Sequence, residues 1–128
     1  MKGFGAAIAI VGLAVLPGWA AAHQGMEDEE KMGSTQTITG EVVDLACYLS
    51  EGASGPGHRE CAQKCIASGL PVGIKSGDTL YVAIGGEHGP ANATLALLAA
   101  QQVTAEGTVT ERDGVHLIAI KKLSAKGT

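Results

Sequence analysis

Two stretches of this chain echo one another: TITGEVVD, beginning at Thr37, and TAEGTVTE, beginning at Thr104, each with a glycine midway. In the first, Ile38 and Val42 share one parity, the alternation of a strand with one buried face. A glycine in mid-strand marks a bulge or a sharp bend. Strands that carry such a bend suit a sheet that must curl until it closes on itself.

The remaining segments fit that sheet. The first strand starts near Thr35 and runs TQTITGEVVDL. A loop rich in glycine and serine, EGASGPG, leads into a helix predicted from about His58 to Ser68, stopped by Gly69 and Pro71. Two short strands, PVGIK and TLYVAIG, flank Ser76-Gly77-Asp78, which is hairpin chemistry. A second helix is expected from Ala91 to Gln102, with Leu95, Leu98 and Ala99 on one face. VTAEGTVTER and VHLIAIKKL then flank Asp113-Gly114, a two-residue hairpin signal. Five short strands with a helix between the third and fourth are the layout of the OB-fold. The expected architecture is therefore mainly β with two helices, a small Greek-key barrel whose cysteine-bearing helix is inserted between strands 1 and 2. A generic α+β sandwich is the competing arrangement of the same elements.

The N-terminus reads as an export signal. Lys2 is followed by an apolar run from Phe4 to Leu16, a break at Pro17-Gly18 and small residues Ala20, Ala21 and Ala22. The run is shorter than the roughly 20 residues that a membrane span needs. We expect a signal peptide over residues 1–22, a flexible acidic tether over 23–34 and one domain over 35–128, exported to the periplasm with no stable membrane span after cleavage. Cleavage takes Phe4 and Trp19 with it and leaves Tyr48 and Tyr81 as the only residues of the aromatic class Phe, Trp and Tyr. With nine Lys and Arg against 13 Asp and Glu, the chain is acidic. An acidic chain poor in aromatic side chains lacks both the phosphate neutralisation and the stacking platforms that nucleic acid requires.

The chemistry concentrates between Cys47 and Cys65. The chain has three cysteines, Cys47, Cys61 and Cys65, and His58 lies among them in GHRECAQKC. At about 100° per helical residue, His58, Cys61 and Cys65 share one narrow face of the predicted helix. Cys47 is expected at the end of the first strand, within reach of that face across the glycine-rich loop. Residues four apart on a helix have Cβ atoms about 5–6 Å apart, whereas a disulfide needs about 3.5–4.5 Å. Cys61 and Cys65 therefore do not bridge each other on a regular helix, and Cys47 decides the chemistry. Three thiolates with an imidazole make a closed tetrahedral set for zinc, and two or three thiolates equally suit Cu(I).

Several of these segments resemble known proteins. TAEGTVTERDGVHLIAIKKL resembles the closing hairpin of small exported bacterial OB-fold domains. GEVVDLACYL together with GHRECAQKCIASGLPVG is similar to a group of small secreted, cysteine-containing bacterial proteins, and the similarity covers most of residues 37–123. This resemblance implies the fold and the compartment rather than an activity. Cys61-x-x-x-Cys65 also resembles the copper-binding motif of Sco-type assembly proteins, without their following proline or their thioredoxin-like fold, and so points to copper.

The first reading is thus an exported metal-binding protein, with Cys47, Cys61 and Cys65 as ligands and His58 as a possible fourth. It would serve delivery, storage or sensing of copper, or of zinc, with a partner protein to receive the metal. The alternative is a disulfide-stapled OB-fold module that binds a partner or small ligand without metal. A third is thiol–disulfide exchange at Cys61, near the positive end of its helix. His23 with Met26 and Met32 could collect copper; His88 lies in a loop able to reach a ligand; His116 shares its parity with Ile118 and Ile120. Asn92 is placed to cap the second helix. No serine–histidine–acid grouping, phosphate-cradling loop or paired catalytic carboxylates stand out, so the chain is not expected to be an enzyme.

Overall fold

The computed structural model describes residues 33–126, so the expected signal peptide and most of the tether, with His23, Met26 and Met32, lie outside the described residues. The strands close into a barrel in the order β1-β2-β3-β5-β4, built from β1 (Ser34–Asp44), β2 (Val72–Ser76), β3 (Thr79–Gly85), β4 (Gln102–Arg112) and β5 (Val115–Ala125). All neighbours are antiparallel except β3 and β5, which run parallel. This is the expected OB-fold-like barrel.

Both glycines sit where backbones approach closely, and only Gly107 shows the expected irregularity. A side chain at Gly40 would meet the Lys75 carbonyl of β2, and one at Gly107 would meet the Ala119 carbonyl of β5. The ladder between β4 and β5 shifts register between Glu106 and Gly107, the irregularity of a β-bulge. Both hairpins are two-residue turns: Ser76 pairs with Thr79 and Arg112 with Val115. Asp113 (φ 53°) and Gly114 (φ 81°) both take left-handed backbone, the requirement of a type I′ turn.

The barrel interior is filled by Val42, Ile74, Leu95, Val103, Ala105 and Ile118, all with no exposed surface. Fully burying a branched side chain of this kind contributes about 1.5–3 kcal/mol. β4 alternates strictly, with Val103, Ala105, Gly107 and Val109 turned inward. β1 buries Val42, Val43 and Asp44 in succession at its end. That run is where the chain leaves the sheet.

Two element boundaries differ from the sequence expectation. The first strand stops at Asp44, and Leu45–Glu51 form a short helix, α1, so Cys47 sits in its first turn rather than at a strand end. Asp44 accepts hydrogen bonds from the backbone N–H groups of Ala46 and Cys47, the N-cap arrangement that turns a strand into a helix. Gly52, left-handed at φ 71°, closes α1. A 3-10 turn over Pro56–His58 then leads into α2 (Arg59–Ala67). The later helix, α3 (Asn92–Leu97), is shorter than expected: Ala100 takes a left-handed φ of 57° and Gln102 already belongs to β4.

Asn92 does not cap its own helix. Its side-chain amide donates to the carbonyls of Ile66 and Leu70, clasping the C-terminal end of α2 to α3. His116 is half-buried on β5, tilted against Tyr81 with ring centroids 5.6 Å apart and paired with Glu111 at 3.7 Å. His88 ends a 3-10 turn over Gly86–His88 in left-handed backbone at φ 61°.

Candidate metal centre

The site is built on the insert between β1 and β2. On α2, Ala62 and Ile66 form a buried pair four residues apart that packs against the barrel. Cys61 and Cys65 are each one residue earlier, about 100° round the helix, so they flank the packed stripe instead of entering the core. Cys65 is half-buried and Cys61 exposed. On α1, Leu45 is buried and lies over Gly73, where any side chain would strike it. That contact, with the Leu45 N–H bonded to the Pro71 carbonyl at 2.9 Å, fixes the start of α1 against β2. It also brings Cys47 up to α2.

Backbone ties hold the connecting loop. The Glu41 side chain on β1 accepts from the Gly55 N–H, and the Ala53 N–H bonds back to the Cys47 carbonyl. The result is a convergence of three sulfurs: the Sγ atoms of Cys47, Cys61 and Cys65 all lie within 4.8 Å of one another. All three cysteines are free. The disulfide-stapled alternative is therefore not what the structure holds. The helical spacing keeps Cys61 and Cys65 apart as expected, and Cys47 joins both of them rather than bonding to one.

His58 takes a different position from the one its spacing suggested. It closes the 3-10 turn with φ −99° and ψ −1°, and this turn winds more tightly than the α-helix assumed for it. It belongs to a second group, with Asp44 and Cys47, whose ligand atoms also lie within 4.8 Å of one another. Its Nε2 is 3.5 Å from Asp44 Oδ2 and is buried without a hydrogen-bond partner. A buried ring nitrogen left unpaired is costly in a finished structure and suits a site that completes itself around a cation. Cys47 belongs to both groups.

Asp44 is the residue that sequence reading missed. It is a buried charged side chain, 1% exposed, at the foot of the cluster. The hydrogen bond from the Cys47 thiol to its carboxylate, then burial and the carboxylate's negative charge, push Cys47 up from the ordinary 9.0 to about 12. Cys65 is raised as well, first by burial, then by the charge of Asp44 and by its hydrogen bond with Cys61. Both shifts disfavour the thiolates of Cys47 and Cys65 while no cation is present. A bound metal inverts that electrostatic logic, because its positive charge favours the thiolates that the carboxylate opposes. A signal for Asp44 was present: an Asp before LACYLSE and a Gly after it bracket a helix by its start and stop residues.

Comparison with protein-family models, with curated proteins and with solved structures gives no match. The site must therefore be read from its own chemistry. Two groups that share Cys47, the three sulfurs on one side and Asp44 with His58 on the other, could each hold a metal ion.

Proposed function

We propose that this is an exported protein that binds Cu(I) through Cys47, Cys61 and Cys65 for delivery, storage or sensing. The observation that carries the reading is the meeting of three free sulfurs from two helices within 4.8 Å. Nothing in barrel packing demands that convergence, since the buried face of α2 is Ala62 and Ile66.

Ligand number favours copper over zinc. Structural zinc takes four protein ligands in a tetrahedron. The group that meets here is three sulfurs, with His58 turned toward Asp44. Three thiolates alone satisfy a soft monovalent ion such as Cu(I). Zinc would need His58, which groups with Asp44 and Cys47, to meet Cys61 and Cys65 as well. Export is supported by the leader pattern at residues 1–22, and the acidic surface without a nucleic-acid platform leaves metal handling as the chemistry of the site.

Metal analysis of protein purified after export and after reconstitution with Cu(I) under reducing conditions tests the reading. The expected result is about one copper per chain for the wild type, with zinc less tightly held. Cys65→Ser should lose most of it while keeping a wild-type circular dichroism spectrum. Copper well below one per chain, or equal loading of Cys65→Ser, would show that the cluster is not a metal site.

A further inference from the structure

The three sulfurs are not equivalent, and the difference has a direction. Cys47 is half-buried and is held through its backbone N–H on the Asp44 carboxylate. Cys65 is half-buried as well. Cys61 is exposed and has no tie to the carboxylate. Lys64, also exposed and one turn along the same helix, stands on the Cys61 side, because residues three apart are neighbours on a helix surface. The chain around it is acidic, so this cation marks the side on which an approaching anion meets least repulsion.

Resting on the Cu(I) reading, we propose that the metal enters and leaves at Cys61, by ligand exchange with a thiol of an acceptor that approaches the outer face of α2. In the first step the acceptor sulfur forms a bond to copper, the bond from Cys61 Sγ to copper breaks, and the acceptor's thiol proton passes to Cys61. Copper stays monovalent, so no oxidant or reductant is consumed. The two half-buried cysteines follow in the same way as further acceptor sulfurs arrive, each recovering one proton. The acceptor is accordingly a thiol-bearing metal site on a surface free of dense negative charge.

The test uses the full mature chain loaded with Cu(I), with dithiothreitol as the acceptor. The transfer rate should rise in proportion to dithiothreitol concentration, and alkylation of partly exchanged samples should label Cys61 before Cys65 and Cys47. A rate independent of dithiothreitol concentration would mean that the metal dissociates first, and would overturn the proposal. Labelling of Cys47 or Cys65 ahead of Cys61 would overturn it too. Lys64→Glu, which touches no ligand, should load normally and transfer to glutathione, a thiol carrying net negative charge, about threefold more slowly at low salt; an unchanged rate would remove the assigned direction of approach. Failure to load Cu(I) at all sinks the metal reading itself, and is seen before any transfer is measured.

Discussion

The barrel and the insert between β1 and β2 are held together in contrasting ways. The barrel is redundant: five strands, each paired on both sides, surround a core of Val, Ile, Leu and Ala. The insert has two short helices and a handful of identifiable anchors: Leu45 over Gly73, Ala62 and Ile66 against the core, the Glu41–Gly55 tie and the Asn92 clasp. A buried charge, Asp44, sits at the junction of the two regions. Pairing runs round the barrel with one register shift between β4 and β5, whereas the insert holds the His58 ring nitrogen that is buried without a partner, which is the pattern of a scaffold carrying a functional site.

Damage to the barrel should be global. Ile74→Ala removes a fully buried side chain from β2 and is expected to cost about 2–5 kcal/mol, read as a lower midpoint in urea unfolding. It should lower the thermal midpoint of the whole domain, barrel and insert together. A two-stage transition, with the thiols becoming reactive well before the barrel melts, would break the comparison by making the insert a separate unit.

Damage to the insert should be local. Asn92→Ala deletes the two hydrogen bonds that clasp α2 to α3, each contributing about 0.5–1.5 kcal/mol. The expected result is a modest loss of stability together with weaker copper binding, because Cys61 and Cys65 ride on the helix it releases. Unchanged copper affinity in a competition titration would show that α2 is positioned by Ala62 and Ile66 alone.

The smallest effect concerns pH. In the metal-free fold the Cys47 thiol is pushed from 9.0 to about 12, so the native state favours its protonated form. That contribution is complete below about pH 9 and is lost as pH rises toward 12. Thermal melts of the metal-free protein should therefore weaken over this range, and Asp44→Asn should flatten the decline by removing the charge that opposes the thiolate. A steeper decline in Asp44→Asn would show that some other group governs the alkaline range.

Most of the barrel could be read from the chain because its signals are local and repeated. The glycine-centred strands, the Asp113-Gly114 turn and the helix stop at Gly69 and Pro71 each depend on a few neighbouring residues. The cysteine spacing likewise placed Cys61 and Cys65 beside a common point. α1 was not read because seven residues hold too little periodicity, and VVDLACYL continues the apolar run of the strand before it. The position of His58 depended on a 3-10 turn, which rotates a side chain away from the α-helical direction. Asn92 acts on residues more than 20 positions away, so its own neighbourhood in the sequence pointed to the wrong helix end.

Closure of the sheet has a consequence for how this protein can meet others. An open sheet offers a row of unpaired amides and carbonyls on which any extended chain can add itself. Here β4 returns to β1 and seals the ring, with Ser34 opposite Val109 and Glu41 opposite Gln102. Recognition along the sheet must then run through side chains rather than through backbone templating. Copies of a molecule built this way have no open strand edge in the barrel through which to polymerise.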